Sequence, residues 1–94
     1  MKNKILIVDD QEINRDILAG ILHEDYELVL ATNGVEAVEA LGEDGNGIAL
    51  VHILRQMYSY MSGKCQEGEK RFEGVETIVD EKRENHSFSC TKLP

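Results

Sequence analysis

The chain has 94 residues, 30% of them charged, and a formal net charge of −8. This charge argues against nucleic-acid or anionic-membrane binding, because phosphate groups are held by clustered Lys and Arg side chains. No apolar run approaches the roughly 20 residues of a membrane span, and the one at residues 5–8 is too short for the core of a signal peptide. We therefore expect one small cytoplasmic domain, in which Cys65 and Cys90 are free thiols.

The first half of the chain predicts strands and helices in alternation. Residues 5–8 form an unbroken apolar run, which is typical of a parallel strand buried on both faces. The apolar residues that follow recur at helical spacing and predict an amphipathic helix over 11–24. A strand over 26–31, a short helix ending before Gly42 and a strand over 48–54 come next. This order predicts βαβ crossovers and a parallel sheet.

The second half does not continue the alternation. Residues 55–70 show no clear period, and the apolar residues within 68–84 have the spacing of one amphipathic helix. The charge balance also changes, since residues 1–54 hold 11 acidic and 3 basic side chains and residues 55–94 hold 7 of each. With no convincing strand to follow it, the strand over 48–54 is expected to be an exposed edge through which the chain self-associates.

Two adjacent acidic residues, Asp9 and Asp10, end the first predicted strand. Neighbouring carboxylates repel each other, so they could be paired because a cation binds between them. They could equally have only local structural roles, in which Asp10 caps the following helix and Asp9 is exposed to water. The acidic pair by itself leaves both interpretations open.

Two segments carry a more specific pattern, KILIVDDQEINRDILAGIL (4–22) and ATNGVEAVEAL (31–41). An apolar strand runs into an acidic pair, a helix follows with Asn14 near its start, and A-x-N-G-x-E-A comes after the second strand. Over residues 2–51 this pattern resembles the receiver domain of bacterial response regulators. The resemblance implies a flavodoxin-like, doubly wound parallel α/β sheet with strand order 2-1-3-4-5. It also implies phosphoryl-dependent signalling in a two-component system. We expect no enzymatic activity, because the sequence shows no recognisable catalytic arrangement.

The resemblance assigns roles to particular residues. It implies that Asp9 and Asp10 help to bind Mg²⁺, while an Asp on the third strand accepts a phosphoryl group from a histidine kinase. It further implies that the first helix docks on the kinase or on a phosphotransfer protein. The residues we expect at that surface are Asn14, Ile17, Leu18 and Ile21.

The expected phosphoacceptor is missing from the sequence. By spacing it should lie near position 53 or 54, but Ile53 and Leu54 stand there, and no acidic residue occurs between Asp44 and Glu67. The resemblance ends near Val51. We therefore predict that residues 1–54 form a truncated receiver domain that cannot be phosphorylated and binds Mg²⁺ weakly. The alternative is an interaction module or decoy that docks on a histidine kinase without phosphorylation.

Residues 55–94 stay unassigned at this level, and our hypothesis is that they are frameshifted or foreign sequence. The sequence also offers two other candidate metal sites. His52 could join the acidic pair around a transition metal, although a histidine on a strand more often has no such role. The residues Cys65, His86 and Cys90 could bind zinc, but their spacing matches no familiar zinc motif and a fourth ligand is not evident.

Overall fold

The computed structural model describes residues 3–42, 47–68, 74–80 and 84–87. Strands and helices alternate through most of this part of the chain. In order, the elements are β1 (Asn3–Val8), α1 (Glu12–Leu22), β2 (Tyr26–Ala31), α2 (Gly34–Leu41), β3 (Ile48–Ile53), α3 (Arg55–Gln66), β4 (Glu76–Val79) and β5 (Glu84–Ser87). None of the helices in these ranges has the length and hydrophobicity needed to cross a membrane.

The strands form one sheet in the order β2-β1-β3-β4-β5. Strands β1 to β4 are parallel to their neighbours, and β5 pairs with β4 in the antiparallel direction. The predicted flavodoxin-like α/β fold is therefore confirmed, and the strand order is the one that the resemblance implies. Strand β5 does not continue the parallel arrangement, because the connection from Val79 to Glu84 is too short to contain a crossover helix.

The first half follows the predicted elements closely, whereas α3 was not predicted. Its buried residues Met61 and Cys65 are four positions apart, and Met57 and Tyr58 pack against the same core. The helical spacing is thus present in the sequence. It was overlooked because Met, Cys and Tyr side chains supply the apolar face instead of Leu, Ile and Val.

The helix predicted over 68–84 is wrong for the residues that the structure describes, since Glu76–Val79 is strand β4. Thr77 and Val79 are buried in this strand, while Glu76 on the opposite face is exposed. The expectation that the third strand is an exposed edge is also wrong, because β4 pairs with β3 along its length. A self-association through β3 is therefore excluded.

In the described ranges, helices lie on both faces of the sheet. On one face α2 and α3 enclose the main core, whose buried members are Leu6, Val8, Ala31, Ala37, Leu41, Ile48, Val51, Ile53, Met61, Cys65 and Val79. Right-handed crossovers place α1 on the opposite face. There it packs over β1 and β2 and covers Ile5 and Ile7. None of the residues of α1 is itself buried.

The described elements after residue 54 belong to the same fold as the first half, since β4 and β5 extend the sheet. Both α3 and β4 pack against elements of the first half, and Tyr60 of α3 lies so close to Gly34 that a Cβ at that glycine would overlap its ring. The division of the chain at residue 54 and the foreign origin of residues 55–94 stay hypotheses. Translation of the neighbouring reading frames of the gene would test the origin.

Two polar side chains fix the start of α2. The Asn33 Oδ1 atom accepts a hydrogen bond from the Glu36 amide at 2.9 Å, and Glu36 Oε1 accepts one from the Thr32 amide at 2.9 Å. This arrangement resembles a capping box, in which side chains satisfy amides that the helix leaves unpaired. The backbone hydrogen bond from Thr32 is the main reason that the pKa of Glu36 lies below its ordinary value.

We expect Glu36→Gln to lower the free energy of unfolding near neutral pH and to have no such effect in acid. Because the pKa is lowered in the folded state, the stabilisation is present above the unfolded value of 4.5 and is lost as the pH falls through the folded value. Urea unfolding at neutral pH and at about pH 3 would measure the difference in the free energy of unfolding between the variant and the unmodified chain at each pH. Glu39→Gln, on an exposed position of the same helix, is the control. If Glu36→Gln lowered the free energy of unfolding equally in acid, the stabilising role of the charged Glu36 carboxylate would be contradicted.

Candidate functional site

The carboxyl ends of β1, β3 and β4 meet at one edge of the sheet, which is where ligands bind in open α/β sheets. In the register of the sheet, Ile53 of β3 lies between Val8 of β1 and Val79 of β4. The strands end side by side, so the residues that follow them are neighbours along this edge. These residues are Asp9, Leu54 and Asp80.

Asp9 is a structural residue as well as a candidate ligand. Its side chain is only 1% exposed, and its Oδ1 atom accepts a hydrogen bond from the Gln11 amide at 2.9 Å. A side chain that binds the amide two residues ahead forms an Asx turn, which here leads β1 into α1. The interpretation of Asp9 as a solvated acid is therefore wrong. Asp10 is exposed and is not the cap, since Gln11 occupies the cap position and makes no side-chain cap bond.

Arg15 brings a positive charge to the acidic pair. Its Nη1 atom donates a hydrogen bond to the backbone carbonyl of Asp9 at 2.7 Å, one turn along α1. The amino end of α1 also carries partial positive charge from its unpaired amides. The chain itself therefore supplies part of the charge compensation that Asp9 and Asp10 need.

The residues present fit a magnesium site only in part. Asp9 and Asp10 are suitable oxygen ligands, but the neighbouring end of β3 carries Ile53 and Leu54, which have no ligand atoms in their side chains. Within the described ranges, no group of three or more His, Cys, Asp or Glu side chains is placed to hold a metal ion. Mg²⁺ prefers a near-octahedral set of oxygens and keeps waters where the protein supplies few. A tight site is thus not formed by these side chains.

His52 contacts Asp80 and does not complete a metal site with the acidic pair. Its Nε2 atom lies 3.5 Å from Asp80 Oδ1, while its buried Nδ1 atom has no hydrogen-bond partner. The Asp80 amide donates to the Ile53 carbonyl at 2.8 Å, which extends the pairing of β3 and β4 by one residue. Asp80 was missed at the sequence level. A signal exists, because IVDE at 78–81 closely repeats IVDD at 7–10.

The zinc interpretation is not supported at Cys65. This residue is fully buried and disulfide-bonded, so it offers no free thiolate to a metal. The expectation of a free thiol is wrong for the same reason, since it rested on the presumed compartment and not on geometry. Cys90 and the His86 side chain lie outside what the structure describes.

The predicted docking residues of α1 fall on two different sides of the helix. Ile17 and Ile21 are exposed, whereas Asn14 and Leu18 are half-buried. Sequence reasoning missed Ile13, which continues the exposed side one turn earlier. Together Ile13, Ile17 and Ile21, which are 65%, 55% and 66% exposed, form an apolar line along α1 that we call the isoleucine stripe.

We expect Asp9→Ala to lower the free energy of unfolding by about 1–2 kcal/mol, because it removes the acceptor of the Gln11 amide at the start of α1. Asp10→Ala should change it by less than about 0.5 kcal/mol, since Asp10 is exposed. Urea unfolding of the two variants measures the difference. Asp9→Asn keeps an oxygen that can accept the same hydrogen bond and should restore part of the loss. Equal losses for the two alanine variants would contradict this role of Asp9.

Comparison with known proteins gives one informative match. The chain is 40% identical over 55 residues to the chemotaxis protein CheY of Halobacterium salinarum. The match covers 57% of this chain and 46% of that protein, so the chain spans about half the length of the relative. No family model and no solved structure matches. With the parallel α/β sheet already described, this match confirms that part of the chain is similar to the CheY-like receiver domain of response regulators.

Proposed function

We propose that this chain is a receiver-like signalling domain that lacks the phosphoacceptor and acts through protein contacts alone. The observation that carries the proposal is the pairing of Val8 with Ile53, which puts the end of β3 next to Asp9. In receiver domains a carboxylate on the third strand would form the acyl phosphate. Ile53 and Leu54 have hydrocarbon side chains, which offer no oxygen to attack phosphorus.

Asp80 is the nearest acidic residue along this edge beyond β3, and it is poorly placed to substitute. It follows β4, two strands from Asp9, and neighbouring strands lie about 4.8 Å apart. The backbones at the two positions are therefore separated by about 10 Å. The Asp80 carboxylate also contacts His52, on the β3 side of the edge. These features support a domain without phosphoryl chemistry and without enzymatic activity of its own.

Magnesium binding in this proposal is weak. The Asp9 carboxylate already accepts the Gln11 amide, and Arg15 supplies positive charge beside it. Both reduce the gain from a bound dication, and the missing third carboxylate reduces it further. Asp9 and Asp10 would hold the ion, whose contribution would be to offset their mutual repulsion.

The isoleucine stripe supports a docking role. Three large apolar side chains exposed on one helix are unusual on a surface with no partner, and such patches mark interaction sites. We propose a cytoplasmic histidine kinase or phosphotransfer protein as the partner, because the domain is receiver-like. Docking without phosphoryl transfer would make the chain an interaction module or a decoy that competes with active receivers.

We expect no phosphoryl adduct when the chain is incubated with acetyl phosphate and Mg²⁺ and its intact mass is measured. Transfer would add about 80 Da, and no acceptor carboxylate stands beside Asp9 and Asp10. The variants Ile53→Asp and Leu54→Asp return a carboxylate to this place and are the matched positive tests. An adduct on the unmodified chain, at Asp80 or at any other residue, would overturn the proposal.

We expect calorimetry to detect Mg²⁺ binding only at millimolar concentrations or above, because affinity follows the number and charge of the ligands. Asp10→Ala should weaken the binding further. Asp80→Asn, which removes an acid from the same edge without touching the pair, should leave it unchanged. Sub-millimolar binding that Asp10→Ala abolishes would show that the site is more complete than these residues indicate.

A further inference from the structure

Helices α2 and α3 pack against each other on one face of the sheet, and a cavity lies between them at the surface. Its volume is about 310 Å³, at the small end of the range for ligand pockets. The described residues that line it are Val35, Val38, Glu39, Tyr60 and Lys64. The cavity is open to water, since Val35 and Tyr60 are 55% and 41% exposed. It has the size for one small molecule and is too small for a helix.

Tyr60 fixes the apolar end of this cavity. Its ring lies on Gly34, so closely that a Cβ at that position would overlap the ring. The glycine therefore lets α3 approach α2 and holds the ring against the first turn of α2. Val35 is the next residue along α2 and also lines the cavity. The end of the cavity near the start of α2 thus consists of an aromatic ring and an aliphatic side chain.

The other end of the cavity carries one acidic and one basic side chain. Both helices connect parallel strands on the same face of the sheet, so they run in the same direction. Glu39 is five residues beyond Gly34, and Lys64 is four residues beyond Tyr60, which places both charges roughly 6–8 Å from the apolar end. Lys64 pairs with Glu67 at 3.4 Å and not with Glu39. An exposed ion pair of this kind is weak, and a ligand can replace it.

The two charges indicate the chemistry of the ligand. A simple anion or a simple cation would meet one like charge here, whereas a ligand with both charges would meet two opposite ones. An α-amino acid carries an ammonium and a carboxylate group on the same carbon atom. Its ammonium group would donate to Glu39, its carboxylate would accept from Lys64, and an apolar side chain would extend toward the ring of Tyr60. A residue within a peptide chain does not carry both charges.

We propose that the cavity between α2 and α3 binds a free α-amino acid with an apolar side chain. The cavity lies on the face of the sheet opposite to α1, so the proposal does not depend on the isoleucine stripe or on the missing phosphoacceptor. The affinity is expected to be millimolar, because the cavity is small and open and its charged groups stay partly hydrated. Such a site would add a small-molecule input to a domain that otherwise acts through protein contacts.

The test is a titration of the isotope-labelled full chain with L-leucine, followed by the amide chemical shifts in NMR spectra. We expect saturable shifts at residues 34–39 and 60–64, with a Kd of about 1 mM. N-acetyl-leucine lacks the ammonium group, leucine amide lacks the carboxylate and glycine lacks the apolar side chain. Each should bind about fivefold more weakly or worse. Equal binding of these compounds, or no saturable shift at these residues up to about 50 mM leucine, would refute the site.

Three variants separate the site from a general effect of charge. Glu39→Gln and Lys64→Gln each remove one charged partner of the ligand and should weaken leucine binding by about fivefold or more. Glu67→Gln makes the same change of charge as Glu39→Gln and frees Lys64 from its ion pair, so it should not weaken binding. Urea unfolding checks that each variant is folded. Equal losses for Glu39→Gln and Glu67→Gln, or unchanged binding by Lys64→Gln, would contradict the proposal. None of these results bears on the phosphoryl adduct, which mass spectrometry tests separately.

Discussion

The parallel pairing of β1 with β2 on one side and β3 on the other is the constraint on which the rest of the structure depends. It buries residues 5–8 on both faces of the sheet, so this stretch must be apolar throughout. It also forces α1 and α2 onto opposite faces, because both crossovers are right-handed. Asp9 follows directly after the buried stretch, and its position at the edge of the sheet is therefore a consequence of the pairing.

The fold of the first half could be predicted because its signals are local. An unbroken apolar run, a helical spacing and a turn each occupy a few consecutive residues, and the observed bounds of α1 differ from the prediction by one or two positions. Strand β4 could not be found in this way. Its four residues become a strand by pairing with β3, and the same apolar residues also fit the spacing of a helix.

The candidate site was predictable in its location but not in its electrostatics. The sequence placed Asp9 and Asp10 at the end of a strand, yet it gave no sign that Asp9 is buried or that Arg15 turns back toward it. Asp80 stayed hidden because β4 was not recognised. The docking side of α1 was only partly predicted, since apolar residues at 13, 17, 18, 21 and 22 span a wide arc. Packing on β1 and β2 decides which of them face the sheet.

The same sheet supports the proposal that this chain acts through protein contacts and not through phosphoryl chemistry. An acidic pair next to an acceptor carboxylate would need a dication, but here Arg15 and the start of α1 offset part of the charge and aliphatic side chains occupy the neighbouring strand end. The edge is thus partly neutralised without a ligand. Helix α1 packs on β1 and β2, and the side of the helix away from the sheet carries exposed isoleucines. The isoleucine stripe is therefore an exposed apolar surface of the described chain, and it supports the proposed role in protein contacts.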